Sequence, residues 1–140
     1  MQERIYRRNF AAFIIHALFL ALTMNFIDIN TVVPNMIGQA GGTALHLGIL
    51  TAVMIGGTSV MQLFFAGMLM PYPRKKPFLI SGIYLRVAAL AALGLFLVRG
   101  DTGESMWRIA VILGIMTIFS FSGSFAGIAY MDILGRAIEP

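Results

Sequence analysis

Four long apolar runs, separated by short polar or charged segments, constrain this chain more than any other feature. They cover residues 10–33, 45–70, 78–98 and 107–131. Each run meets the length of about 20 residues that a helix needs to cross the hydrocarbon core of a bilayer. Only 11% of the residues are charged, whereas a soluble domain carries about 25%. The sequence therefore predicts an all-α membrane protein with four transmembrane helices.

The positions of Lys and Arg predict the direction of insertion, because loops on the cytoplasmic side carry the excess of positive charge. The predicted N-terminus (1–9), the second connection (71–77) and the C-terminal end (132–140) lie on one side and hold Arg4, Arg7, Arg8, Arg74, Lys75, Lys76 and Arg136. The other two connections (34–44 and 99–106) hold Arg99, and Arg108 follows the second of them. We expect both termini in the cytoplasm and the protein in the cell membrane, most simply a bacterial inner membrane. The first run is too long for a signal peptide and is expected to be retained.

The net charge of +4 does not indicate a nucleic-acid partner, because basic clusters that flank apolar runs are typical topology signals. The chain has no cysteine, and its two histidines, His16 and His46, stand thirty residues apart. This composition predicts no metal site. The sequence also contains no glycine-rich loop of the phosphate-binding type and no motif of catalytic residues. We expect a protein that is not an enzyme and needs no cofactor.

Two charges, Asp28 and Arg86, fall at hydrocarbon depth within the predicted spans, where a charge costs about 2.5–3.5 kcal/mol on insertion scales. Asp28 has Asn25 one turn before it and Thr31 one turn after it. One interpretation is a carboxyl that takes up and releases a proton as a cavity opens to either side. The alternative is a structural carboxylate hydrogen-bonded to these neighbours. Arg86, roughly 13 Å into the third run at 1.5 Å per residue, either snorkels to the interface or pairs with Asp28.

Polar residues also form stripes along the first and fourth runs. His16, Thr23 and Asn30 recur every seven residues on the first. The fourth carries a matching stripe that consists of Thr117, Ser120, Ser124, Gly127 and Met131. Lipid does not solvate such stripes, so we expect them to face other helices or a water-filled cavity. The residues predicted to line that cavity are Asn25, Asn30, Thr31, Thr117, Ser120 and Ser124.

Small residues at intervals of four predict close helix contacts, since backbones in lipid approach best through small side chains. The second run has Gly48, Ala52 and Gly56, and the fourth has Gly123 and Gly127.

The order of these features resembles the start of a major facilitator superfamily transporter. The resemblance rests on the segment Asp-Ile-Asn-Thr-Val-Val-Pro at 28–34, on Leu-Gly-Ile-Leu at 47–50, and on the loop after the second run. That loop has Gly67, Leu69, Lys75 and Lys76 at positions one, three, nine and ten of the family signature G-x-L-x-D-R-x-G-R-[KR]. The sequence departs from the signature elsewhere, with Pro71 in place of the acid, Tyr72 in place of the first arginine and Arg74 in place of the second glycine.

The resemblance implies a secondary transporter that moves a small solute by alternating access. The carboxyl in the first run adds proton coupling to this expectation, with Asp28 as the titrating residue. The resemblance further implies twelve helices in two six-helix halves, of which this chain would supply the first four, so its partners would be lipid, the substrate and the remaining helices. The family's cytoplasmic charge network would involve Arg74, Lys75, Lys76, Asp132 and Arg136, with Asp132 pairing with the basic loop.

Two other functions stay open on sequence grounds. One is a self-contained four-helix membrane protein with a structural or assembly role that docks a partner through Gly123 and Gly127. The other is a small homodimeric exporter in which Asp28 of each copy meets its mate.

Overall fold

A computed structural model describes residues 2–99 and 104–138, with side chains from 7 to 99 and from 104 to 136. Within these residues all regular structure is helical, as predicted. We number the helices α1 (Gln2–Phe26), α2 (Val32–Gln39), α3 (Ala44–Leu69), α4 (Lys76–Val98) and α5 (Ser105–Ile138). Four segments are long and apolar enough to cross a membrane, namely Arg7–Phe26, Ala44–Leu69, Lys76–Val98 and Ser105–Arg136. This agrees with the four predicted runs.

The chain divides into two compact units, Met1–Met36 and Ile37–Pro140. In the first unit, α1 ends at Phe26, earlier than the predicted limit at residue 33. The Asp28 carboxylate explains this end, because it accepts hydrogen bonds from the backbone N–H of Asn30 (2.9 Å) and from the Thr31 hydroxyl (2.8 Å). Such local bonds from an aspartate give the backbone an alternative to the helix.

Pro34, which the sequence places in the connection 34–44, belongs instead to the first turn of α2. Proline is tolerated there because the amides of the first turn have no intrahelical acceptor in any case. The predicted external loop (34–44) is therefore helical as far as Gln39. Gly41 then turns the chain with φ of 85°, a left-handed conformation that favours glycine.

The second unit is built around α5. Helix α5 contacts both α3 and α4. Among these three helices it has the largest fraction of buried residues. Its buried side chains recur every three or four residues and include Ile109, Ile112, Met116, Phe119 and Ala126. This period is that of a helix with one face packed against its neighbours.

Glycines allow α5 to approach both neighbours closely. A Cβ added at Gly82 of α4 would lie 2.9 Å from the Cβ of Ala126, and one added at Gly57 of α3 would lie 3.1 Å from the Phe121 ring. Neither glycine belongs to the stripes predicted from the sequence. Among the glycines of those stripes, Gly123 lies at a contact, against Arg86, whereas nothing lies within 4 Å of a Cβ added at Gly48, Gly56 or Gly127.

The middle of α3 is a π-helical turn, Ala52–Gly57, between the α-helical segments Ala44–Thr51 and Thr58–Leu69. Hydroxyl groups stabilise this irregularity from within the helix. The Thr58 hydroxyl donates to the carbonyls of Met54 (2.7 Å) and Ile55 (2.8 Å), and the Ser59 hydroxyl donates to the Ile55 carbonyl at 3.0 Å. π-turns of this kind occur frequently at functional sites.

The ends of α5 differ from the predicted limits. It begins at Ser105, whose hydroxyl donates to the Ala40 carbonyl at 2.6 Å and so attaches the start of α5 to the turn before α3. It continues to Ile138, past the predicted limit at residue 131. Met1, residues 100–103 and residues 139–140, which belong to the predicted N-terminus, second external loop and C-terminal end, lie outside the described residues.

Candidate functional site

An ion cluster joins the loop before α4 to the end of α5. Lys75 Nζ lies 2.8 Å from Asp132 Oδ1, and Arg136 Nε lies 3.0 Å from Asp132 Oδ2. The Lys75 side chain is 13% exposed and that of Asp132 is 26% exposed, so this pair is shielded more than an ordinary surface pair. The structure thus brings together the loop lysine and the acid between which the family resemblance implies a contact. The ion pairs described for Asp132 involve neither Arg74 nor Lys76, but both residues line a groove of about 750 Å³ beside it.

Arg86 lies between α4 and α5. Its guanidinium carbon is 4.3 Å from the centre of the Phe119 ring. The same group lies over Gly123, where an added Cβ would be 3.0 Å from the guanidinium carbon. An arginine over an aromatic face is attracted by the ring quadrupole, the more so where water is excluded. Phe119 was not predicted as a partner; the aromatic-rich segment 119–125 of α5 was the available signal.

Two of the predicted cavity-lining residues, Ser120 and Ser124, bond to the backbone of α3. Their hydroxyls donate to the carbonyls of Met54 (3.4 Å) and Thr58 (3.2 Å), respectively. Both serines are buried, with 5% and 3% exposure. The Met54 carbonyl belongs to the π-helical turn, so the polar stripe of α5 meets the irregular part of α3. The third residue of α5 that was predicted to line the cavity is Thr117, and its hydroxyl donates to the Leu113 carbonyl of the same helix at 2.7 Å.

The π-turn itself was missed by the sequence reasoning. The available signal was the run Gly56-Gly57-Thr58-Ser59, because two glycines followed by two hydroxyl residues weaken a regular helix and supply donors for displaced carbonyls.

The predicted residues of the first unit cluster around Asp28. Its carboxylate is held by Thr31 and the Asn30 amide, as described above, while Asn25 donates instead to the Ala21 carbonyl at 2.8 Å. Asp28 lies beyond the candidate span Arg7–Phe26. The hydrogen bond from the Thr31 hydroxyl, followed by that from the Asn30 amide, lowers the pKa of the Asp28 carboxyl below its ordinary value.

Asp28 and Arg86 belong to different units, and their proposed pairing stays a prediction. The same holds for the facing of the α1 polar stripe onto α5. Among the described residues no group of three or more His, Cys, Asp or Glu side chains could hold a metal ion.

No protein-family model, no curated protein and no solved structure matches this chain.

Proposed function

We propose that the chain is an integral membrane protein with four transmembrane helices, both ends in the cytoplasm, and that it forms the N-terminal part of a secondary transporter related to the major facilitator superfamily. In this proposal it moves a small solute across the cell membrane by alternating access with proton coupling. The ion pair between Lys75 and Asp132 carries the proposal. It links the one loop that bears part of the family signature to the helix end where the family places the matching acid.

A second observation supports transport over a purely structural role. Helix α3 contains a π-turn whose Met54 carbonyl is bonded by a hydroxyl of another helix. Irregular backbone at membrane depth is tolerated only where protein or a water-filled cavity surrounds it, and it recurs at transporter binding sites. The frequency of such turns at functional sites favours transport over a purely structural role.

Proton coupling is assigned to Asp28. The assignment is tested by measuring solute accumulation in cells or vesicles that carry the proposed transporter. Asp28→Asn abolishes accumulation driven by a proton gradient, while solute exchange in the absence of a gradient survives. Glu104→Gln, which neutralises another carboxyl, leaves accumulation unchanged. Accumulation by Asp28→Asn that equals the wild type at every pH contradicts the assignment.

The two alternatives make different predictions for oligomeric state. A homodimeric exporter places Asp28 of two copies together, so Asp28→Cys forms an intermolecular disulfide in a chain that has no other cysteine. An assembly factor that docks through Gly123 and Gly127 is less favoured, because Gly123 already packs against Arg86 of the same chain. We expect no cross-link at position 28 and no stoichiometric partner in native mass spectrometry.

The orientation is tested separately with single cysteines labelled by a maleimide that does not cross membranes. Gly38→Cys, before α3, is labelled from outside intact cells, and Arg74→Cys, before α4, is labelled only after the membrane is opened. The reverse pattern contradicts the proposed topology.

A further inference from the structure

We propose that the groove between the beginning of α4 and the end of α5 binds an anionic phospholipid. The groove has a volume of about 750 Å³ and lies beside the Lys75–Asp132 pair. The proposal requires the membrane insertion proposed above, but it does not depend on transport.

The charge of the groove favours an anion. Four cationic residues line it, and among the described residues Asp132 is the one acid in its lining. Asp132 is already contacted by Lys75 and Arg136. Arg74 and Lys76, both exposed, add two positive charges that this carboxylate does not neutralise. A phosphodiester between them would gain charge-assisted hydrogen bonds from donors that suit phosphate oxygens.

The shape of the groove favours a lipid over a soluble anion. Beyond the cations, its α4 wall continues through Ile80 and Tyr84, which follow Lys76 at intervals of four residues and therefore lie along one face of the helix. Ile80 is 41% exposed and Tyr84 is 70% exposed. Ile133 of α5 lines the groove as well.

These positions extend over about 12 Å from Lys76 to Tyr84 at 1.5 Å per residue. A ligand that fits both the cationic part and the apolar part of the groove has a negative headgroup and an apolar chain that leads away from it. An anionic phospholipid has this chemistry, and basic grooves between membrane helices are known to bind such headgroups. A free phosphate ion would leave the apolar part of the groove uncovered.

The experiment uses tryptophan fluorescence in vesicles of phosphatidylcholine, into which brominated phosphatidylglycerol or brominated phosphatidylcholine is titrated. Tyr84→Trp combined with Trp107→Phe places a single reporter in the groove. The wild-type protein, whose one tryptophan is Trp107 at the start of α5, provides the control reporter. Trp107 precedes Asp132, the acid of the groove, by about 37 Å along that helix.

The reporter at position 84 should be quenched by phosphatidylglycerol at a mole fraction at least about fivefold lower than by phosphatidylcholine, since each interfacial cation contributes about that factor. The wild-type reporter should show no such preference. Arg74→Gln with Lys76→Gln should remove the preference at position 84. Arg99→Gln, which removes a cation at the other end of α4, should leave it intact.

Three results would overturn the proposal. Equal quenching by both lipids at position 84 excludes a site for anionic lipid, although it leaves membrane insertion in place. Loss of the preference in inorganic phosphate, but not in chloride of equal ionic strength, assigns the groove to a soluble anion. Absence of quenching of either reporter by either lipid contradicts membrane insertion itself, and the lipid site with it.

Discussion

The guanidinium of Arg86 lies 4.3 Å from the centre of the Phe119 ring, so the one charged side chain in the middle of α4 packs against an aromatic face of α5. Gly123, one turn further along α5, leaves room for the guanidinium. A cation that the sequence places at a costly depth thus has a defined position between two helices, apart from any pairing with Asp28.

This packing predicts an energetic coupling between the two side chains. In a double-mutant cycle of Arg86→Met and Phe119→Leu, the free energies of unfolding in mild detergent should deviate from additivity by about 0.5–2 kcal/mol, the range of cation–π contacts. Arg99→Met with Phe119→Leu serves as the control and should be additive. Additivity within error for the Arg86 cycle would contradict the contact.

The close approach of α4 to α5 at Gly82 predicts that even one methyl group destabilises the bundle. Gly82→Ala should lower the free energy of unfolding by about 1–3 kcal/mol, because the new Cβ would stand 2.9 Å from the Cβ of Ala126. Gly94→Ala is a matched control on the same helix, where an added Cβ meets nothing within 4 Å. It should be neutral or gain about 0.5–1 kcal/mol from helix propensity. Equal effects of the two changes would argue against this crossing.

The interhelical hydroxyl bonds of α5 predict a further difference between neighbouring serines. Ser120→Ala and Ser124→Ala remove donors to the α3 backbone, and each should lower the free energy of unfolding by about 0.6 kcal/mol, the mean for such bonds in a membrane protein. Ser122→Ala is the control, since its equally buried hydroxyl donates to the Phe119 carbonyl of its own helix. If Ser122→Ala is as destabilising as the other two, the bonds to α3 contribute no more to the free energy of unfolding than a bond within α5 does.

The Lys75–Asp132 pair predicts a charge requirement for transport. In the proposed transporter, Asp132→Lys should impair solute uptake, because it places a third cation beside Lys75 and Arg136. Exchanging the charges, with Lys75→Asp added to Asp132→Lys, should restore part of the uptake. Uptake by Asp132→Lys at the wild-type rate would remove the pair from the mechanism.

The Thr31 hydroxyl predicts the direction of a pH shift. Thr31→Val removes the largest cause of the lowered pKa of the Asp28 carboxyl, so that pKa should rise. The carboxyl is then protonated at a higher pH, and the pH at which proton-driven uptake is half maximal should move upward. Thr23→Val, whose hydroxyl donates to the Phe19 carbonyl, is the control and should leave the pH profile unchanged. A downward or absent shift for Thr31→Val would contradict the proposed role of Asp28.

The sequence alone determined that the described chain is helical and has four helices of membrane-spanning length. This follows because the length of an apolar run and the absence of charges within it are local properties, which do not depend on the partner of each helix. The position of Arg86 as an unusual charge was equally visible, as was the basic loop that faces Asp132. Asp28, which the sequence placed inside a span, lies beyond the candidate span Arg7–Phe26. The ends of α1, α2 and α5 were not visible in the sequence, because capping by Asp28 and docking of Ser105 on Ala40 depend on hydrogen bonds that no hydropathy pattern records.

Only the tertiary structure decided which small and polar residues meet. Periodicity places Ser120 and Ser124 on one face of α5, but it does not distinguish a cavity from the backbone of α3 as their surroundings. In the same way, the sequence does not distinguish Gly48, Gly57 and Gly82, which all lie in apolar runs. The structure shows that Gly57 and Gly82 lie where their helices cross α5, whereas Gly48 does not. The physical reason is that helices in lipid are held together by close contacts and hydrogen bonds between particular atoms. Those contacts depend on the rotation of one helix relative to the other, and the residue pattern of a single helix does not specify that rotation.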